Sequence, residues 1–195
     1  MKKRKCPVIL IIGACLVLIS LSFMIAYQIR LQMGARQSQT IASKINEILP
    51  ERTVNAPGIP DAVMPALQLE DKDYVALIEI PSFGLVLPVA DRWDSGKLSI
   101  SPARFFGSAY DDTLIIGGID HKEQFGFCDQ ISHGAFVTVT DMTGSQFSYT
   151  VSKVERSKHA QSQWLVNQDF DLTLFCHDIY SMEYIAVRCN LAYNR

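Results

Sequence analysis

The stretch DLTLFCHDIYSMEYIAVRC, residues 171–189, contains two short apolar runs separated by a polar break. Both runs are rich in residues that favour strands, so we predict a β-hairpin. If the pairing is centred on Met182, Cys176 and Arg188 face each other with Cα atoms about 5 Å apart. Cys189 then points to the opposite face, which argues against a disulfide between Cys176 and Cys189.

Upstream of this hairpin the chain repeats the same pattern of short apolar runs between turn residues. The further predicted strands are 74–80, 85–90, 113–120, 135–141 and 146–155. Strands this short and this numerous predict a closed barrel or a sandwich. Residues 157–170 are too many for a tight turn, so we predict a loop with a short helix that walls a binding groove.

The N-terminus has the pattern of a membrane anchor. MKKRK is followed by the uncharged run 7–27, which as a helix is about 30 Å long and spans a bilayer. The basic cluster favours a cytoplasmic N-terminus and places the rest of the chain outside the cell. A cleaved signal peptide is less favoured because the run is long, and IGAC (12–15) differs from a lipid-attachment box because the apolar residues continue past Cys15.

These patterns divide the chain into four segments. We predict a cytoplasmic basic tail (1–6), a transmembrane anchor (7–27), a stalk helix and linker (28–71), and a β domain (72–195). The stalk helix is predicted from isoleucines at helical spacing, and the linker from clustered prolines.

Composition excludes several classes of function. The net charge of −2 and the absence of a basic patch with interleaved aromatics predict no nucleic-acid partner. His, Cys, Asp and Glu show no recognised ligand spacing, so we predict no metal and no cofactor. The β domain has three cysteines, Cys128, Cys176 and Cys189, and an odd number leaves at least one thiol without a partner in the same chain.

The predicted pair of Cys176 and Arg188 suits nucleophilic catalysis. A nearby cation lowers the pKa of a thiol, and a guanidinium stabilises an oxyanion. A histidine must then accept and return a proton. His121, at the end of the third apolar run, is the favoured candidate. His177 is adjacent to Cys176 and points the other way along a strand, while His133 and His159 lie in loops.

The chain resembles the sortase family over roughly residues 72 to 192. Four features carry the resemblance: the N-terminal anchor, LIEIPSFGLVLPV (77–89), TLIIGGIDH (113–121) and LTLFC (172–176). The resemblance implies a mainly β fold, a closed eight-stranded β-barrel with short helices, preceded by one transmembrane helix. It also implies a cysteine transpeptidase that cleaves an LPxTG-type sorting signal through a thioester. By resemblance, Cys176 is the nucleophile, His121 the acid/base and Arg188 the oxyanion-stabilising residue.

The resemblance implies partners as well. They are sorting-signal peptides of surface proteins, an amine acceptor in a cell-wall precursor or a pilin, and the membrane. The protein is expected in the cell membrane as a single-pass protein, with its cytoplasmic N-terminus followed by an extracellular domain.

Two motifs depart from the family pattern. The family's TLxTC has threonine before the cysteine, whereas this chain has Phe175 there and its motif is one residue short. The family's histidine follows glycine directly, whereas here Ile119 takes that place and His121 comes two residues later. These departures favour an alternative, an inactive sortase-like barrel that binds a peptide or a partner. A membrane-tethered β domain with structural thiols is a third possibility.

Overall fold

The computed structural model describes residues 5–54, 63–159, 162–167 and 169–192, so parts of the predicted basic tail and linker lie outside the described residues. The helices are α1 (Lys5–Ile48), a 3₁₀ turn (Pro81–Phe83) and α2 (Ser162–Leu165). The strands are β1 (Thr53–Val54), β2 (Leu67–Leu69), β3 (Lys72–Ile80), β4 (Leu85–Ala90), β5 (Ala103–Phe106), β6 (Leu114–Gly117), β7 (Phe136–Asp141), β8 (Ser145–Ser157), β9 (Leu172–Asp178) and β10 (Glu183–Leu191).

Eight of the strands close into a barrel. The order of hydrogen-bonded neighbours is β8-β10-β9-β6-β5-β4-β3, and β7 joins β3 back to β8. Strands β1 and β2 extend this sheet outside the ring, beside β8 and β3. The predicted closed eight-stranded barrel is therefore confirmed, and so is the short helix predicted in the loop between β8 and β9.

The predicted third strand is shorter in the structure. Strand β6 ends at Gly117, and Gly118 leads into a turn. A Cβ at Gly117 would lie 2.3 Å from the Trp93 ring, and one at Gly118 would lie 2.8 Å from the Phe125 ring. Both glycines are therefore required by close packing. Strand β5, ARFF, was not predicted because it is short and has no alternation of apolar and polar residues.

Helix α1 is one continuous helix of 44 residues that contains both the predicted anchor and the predicted stalk helix. It is long and apolar enough to cross a membrane. After the apolar run it packs on the outside of the barrel, where Leu31, Ile41 and Ile45 are buried. Gly34 allows this close packing, because a Cβ there would lie 2.1 Å from the Ser99 carbonyl oxygen. The barrel is therefore held directly against the helix.

Candidate functional site

The β9–β10 hairpin decides where the predicted catalytic side chains point. Cys176 pairs with Ile185, and Arg188 pairs with Thr173. The predicted pairing of Cys176 with Arg188, centred on Met182, is therefore wrong. Paired positions sum to 361 in the structure rather than 364, and an odd shift moves one partner to the other face of the sheet. Cys176 and Arg188 lie on opposite faces of the hairpin.

A side chain within the turn explains the shift. The Asp178 carboxylate accepts hydrogen bonds from the Tyr180 backbone N–H at 2.8 Å and from the Ser181 hydroxyl at 2.6 Å. Met182 closes the turn with φ of 57°. An aspartate that bonds to backbone two residues onward starts a turn at its own position. The turn therefore begins earlier than the apolar pattern predicts.

Cys176 points into the barrel. It is 1% exposed, and its thiol donates to the Phe125 carbonyl oxygen, with 3.6 Å between sulfur and oxygen. Cys128 and Cys189 belong to the same buried cluster, and all three cysteines are free thiols. Burial raises the pKa of the Cys128 thiol well above its ordinary value and that of Cys189 to about 12.

The inward direction of Cys189 corrects a second prediction. Cys176 and Cys189 share the inner face of the hairpin instead of lying on opposite faces. The three thiols are packed as small apolar groups among aliphatic and aromatic side chains, which is how most buried cysteines behave.

Arg188 lies on the outer face and is completely buried. Its Nε donates to the Glu155 carboxylate at 3.1 Å, and its Nη1 donates to the Leu165 carbonyl at 2.9 Å and the Thr173 hydroxyl at 3.0 Å. Its Nη2 donates to the Trp164 carbonyl. These bonds tie the β8–β9 loop, which contains α2, to the barrel wall.

The charge on Arg188 is balanced locally. Hydrogen bonds from Lys153 and Arg188 lower the pKa of the Glu155 carboxyl, against the opposing effect of burial. The guanidinium also lies 5.1 Å from the centroid of the Trp164 ring. With its donors committed to these partners, Arg188 holds the loop in place and is directed away from Cys176.

His121 lies in the turn after β6, outside any strand. Its Nδ1 accepts a hydrogen bond from the Glu123 backbone N–H at 3.3 Å, and its carbonyl accepts from the Gly126 N–H at 2.9 Å. Among the described residues no hydrogen bond joins His121 to Cys176. Cys176 contacts the segment that carries His121 through the Phe125 carbonyl. The structure thus separates Arg188 from Cys176, while the acid/base role of His121 stays a prediction.

The outward position at the end of β9 is His177, whose ring lies 4.6 Å from the ring of Tyr184 on β10. The shortened motif explains this arrangement. A TLxTC motif that starts at Thr173 would put its cysteine at position 177, on the outer face. Because the motif is one residue short, the thiol falls at 176 and faces inward. The sequence prediction missed this outward pair, although strand alternation already separates positions 176 and 177.

An aromatic cluster continues the outer face next to His177. Phe175 lies against Trp93 at 5.5 Å in a stacked arrangement and against Phe105 at 5.4 Å edge-on. Trp93 and Phe105 are each 38% exposed. We call Trp93, Phe105, Phe175, His177 and Tyr184 the outer aromatic surface. It lies between the β4–β5 connection, which carries Trp93, and the β8–β9 loop held by Arg188.

One carboxyl near this region has a shifted pKa. Burial raises the pKa of Asp120, with further contributions from Asp178 and Asp129, while His121 acts in the opposite direction. Among the described residues, no group of three or more His, Cys, Asp or Glu side chains is arranged to hold a metal ion.

Comparison with known proteins identifies the fold. No protein-family model and no curated protein matches the sequence. Solved structures do match: a sortase D5 transpeptidase from Clostridium perfringens is 19% identical with a TM-score of 0.54, over 62% of this chain and 80% of that one. Sortase A from Corynebacterium diphtheriae is 13% identical with a TM-score of 0.54, over 94% of this chain and 95% of that one.

A third match is the Clostridium perfringens sortase C with the C-terminal cell wall sorting motif. It is 16% identical with a TM-score of 0.54, over 84% of this chain and 88% of that one. Together with the closed eight-stranded barrel, these structures show that the chain has the sortase fold.

Proposed function

We propose that this protein is a membrane-anchored peptide-binding module of sortase fold that holds an extended peptide on the outer aromatic surface without cleaving it. The resemblance to sortases supports the choice of a peptide, since sortases act on sorting-signal peptides. The exposed rings of Trp93 and Phe105 supply apolar area for peptide side chains. The β4–β5 connection and the β8–β9 loop form the two walls.

The inward direction of Cys176 carries this proposal. Attack by a thiolate requires the sulfur within about 3–3.5 Å of the peptide carbonyl carbon. The side chain is 1% exposed and points into the barrel core, so a peptide on the outer face does not reach it. Arg188 is committed to Glu155 and the loop carbonyls. The outer face therefore offers a binding surface, and the predicted nucleophile lies behind it.

A binding experiment with the full chain in detergent micelles tests the proposal. The probe is a library of fluorescent peptides with LPxTG-type sequences, and affinity is measured by fluorescence anisotropy. We expect Phe105→Ala to weaken binding about tenfold, because it removes an exposed aromatic contact. Phe136→Ala is the matched control, since Phe136 is 59% exposed on β7 and outside the outer aromatic surface. Equal affinities of the two variants, or binding of no peptide, would contradict the proposal.

A cysteine transpeptidase is the second candidate. One segment favours it: residues 119–128 both carry His121 and cover Cys176 through Phe125. Displacement of this segment would expose the thiol on the side where His121 lies. Cys176 would then form a thioester with the sorting-signal peptide, His121 would protonate the leaving amine, and an amine of a cell-wall precursor or pilin would resolve the thioester. The oxyanion role predicted for Arg188 would require a second rearrangement in this candidate, because Arg188 lies on the opposite face of the hairpin.

Intact mass spectrometry separates the two candidates. The same peptide library is incubated with the full chain and with Cys176→Ala. The binding module predicts unchanged protein mass with every peptide. An acyl adduct on the wild type that is absent from Cys176→Ala would establish the transpeptidase, and the adduct's mass would report the cleaved motif.

The membrane topology belongs to the same proposal. Helix α1 spans the cell membrane once, with the basic tail in the cytoplasm and the barrel outside the cell. Protease added to intact cells is expected to digest the barrel, and protection of the barrel until lysis would contradict this orientation.

A further inference from the structure

A charged cleft lies at the side of the barrel, apart from Cys176 and the hairpin. It has a volume of about 360 Å³ and lies between the β2–β3 turn, the end of β4 and the β4–β5 connection. The polar side chains that line it include Asp71, Lys72, Asp73, Lys97 and Ser101, and Trp93 forms part of its wall. The resemblance to sortases assigns no role to these residues.

The β4–β5 connection places this cleft beside the end of the membrane span. Arg30 is the first charged residue after Lys5, and its Nη2 donates to the Gly96 carbonyl at 3.4 Å. Gly34, one helical turn further on, contacts Ser99. From Arg30 to Gly34 the helix rises about 6 Å. A headgroup layer is about 5–8 Å deep, because bilayers measure about 40–45 Å in total and their hydrocarbon core about 30 Å.

The connection therefore lies at the level of the lipid headgroups when α1 spans the bilayer. Its composition fits this depth, since Trp93, Arg92 and Lys97 are of the types enriched where proteins meet the membrane surface. The Arg92 side chain is 88% exposed and extends away from the barrel.

Lys72 and Lys97 line the cleft together with the carboxylate of Asp94. Among the described residues, Lys72 has no ion pair or hydrogen-bond partner for its ammonium group. Its pKa is lowered by burial and then by the nearby charge of Lys97, while Asp94 acts in the opposite direction. Lys97 reaches Asp94 only at 3.8 Å. An anion that contacts both lysines would offset the free-energy cost of burying the Lys72 ammonium group. It would also offset the repulsion between the two ammonium groups.

A buried hydroxyl gives a second, independent indication. Ser101 lines the cleft and is 1% exposed, and its Oγ has no hydrogen-bond partner in the part of the chain that the structure describes. Buried hydroxyl groups are rarely left without a partner. A rotation about its χ1 angle would direct this hydroxyl toward an acceptor in the cleft.

We propose that this cleft binds the headgroup phosphate of a membrane phospholipid, with Lys72 and Lys97 on the phosphate oxygens and Ser101 as a further donor. Asp71 and Asp73 accept hydrogen bonds from the ammonium or hydroxyl groups of the same headgroup. Trp93 packs at the interface between the membrane and water. The proposal rests on the part of the proposed function in which α1 spans the membrane. Trp93 belongs to both sites, whereas Lys72 and Lys97 lie outside the outer aromatic surface.

Native mass spectrometry of the full chain tests this site. The protein is reconstituted in nanodiscs of phosphatidylethanolamine and phosphatidylglycerol, released in the gas phase, and its retained lipids are counted. Wild type is expected to retain one phospholipid. The Lys72→Met and Lys97→Met variants are each expected to retain about tenfold less phospholipid than wild type, because each substitution removes a charge-assisted hydrogen bond. Lys122→Met is the matched control, as Lys122 is 80% exposed and outside the cleft.

Equal lipid retention by Lys72→Met and Lys122→Met would overturn the proposal. A second arm adds inorganic phosphate to the protein in lipid-free detergent. If free phosphate bound as tightly as the lipid, the proposal that the bound phosphate belongs to a membrane phospholipid would be overturned. Extraction of the protein from membranes by alkaline carbonate would show that α1 is not a span, and would overturn the lipid site together with the proposed topology. Peptide affinity, measured on the same variants, reports separately on the outer aromatic surface, and Lys72→Met is expected to leave it unchanged.

Discussion

The two faces of the β9–β10 hairpin bury different kinds of side chain. The inner face buries two thiols, Cys176 and Cys189, as part of the apolar core, and Cys176 donates to the Phe125 carbonyl. The outer face buries a full guanidinium and satisfies it with a carboxylate, a hydroxyl and two loop carbonyls. Chemistry that needs a thiol and a guanidinium together requires both on one face. The alternation of side chains along a strand therefore decides, more than residue identity, which functional groups meet.

The largest expected effect concerns thiol reactivity on the two faces. His177→Cys places a thiol on the outer face, whereas the native Cys176 stays inside. We expect a water-soluble maleimide to modify residue 177 about a thousandfold faster than Cys176, since buried thiols react only when the structure opens. Peptide mapping after timed labelling of the full chain measures both rates. Comparable rates would mean that the segment over Cys176 opens readily, which would favour the transpeptidase.

The next largest effect is on stability. Arg188→Met removes the buried cation that ties the β8–β9 loop to the barrel, and we expect a loss of about 3 kcal/mol in unfolding free energy. Urea denaturation of the full chain in detergent, followed by tryptophan fluorescence, measures the loss. Arg156→Met is the matched control, because that side chain is 43% exposed and its ion pairs lie at 3.8–4.0 Å. Equal losses for the two variants would contradict a special role of Arg188 in holding the loop.

A smaller effect is expected at Gly117, where the outer aromatic surface packs on β6. A Cβ there meets the rings of Trp93 and Phe175 at 2.3 Å and 2.6 Å. Gly117→Ala should therefore displace these rings and cost about 2 kcal/mol by overpacking. Gly13→Ala provides the control, since a Cβ at Gly13 meets nothing within 4 Å. The same denaturation experiment, with the fluorescence maximum as a second readout, checks both variants.

The smallest effect is a pH dependence at Glu155. Its pKa is lower in the folded state than in the unfolded chain, so its contribution to stability is complete above the unfolded value near 4.5. That contribution is lost as the pH falls through the lower, folded value. Because the carboxylate is 21% exposed, we expect less than about 1 kcal/mol. Between pH 6 and pH 3 the unfolding free energy should fall more for wild type than for Glu155→Gln. An equal decrease in the two proteins would contradict the prediction.

Much of the architecture could be predicted because it depends on local patterns. The alternating runs before and after residues 179–182 become β9 and β10, and the apolar run 7–27 lies within α1. The linker around 55–62 lies outside the described residues. The catalytic roles of Cys176, His121 and Arg188 stay predictions, and the hairpin register puts Cys176 and Arg188 on opposite faces.

Local sequence patterns are enough to predict that strands form here, that a helix of membrane-spanning length precedes them, and that the cysteine motif is one residue short. These properties follow from the composition of short segments and from the spacing of apolar residues within them. Which face each strand turns inward depends instead on contacts between distant parts of the chain. That choice depends on the Asp178 turn, which shifts the register by an odd number, and on the β8–β9 loop that covers Arg188. Side chains alternate between the two faces of a strand, so a register shift of one residue exchanges the inward and outward positions. The direction of each side chain therefore depends on contacts made elsewhere in the chain.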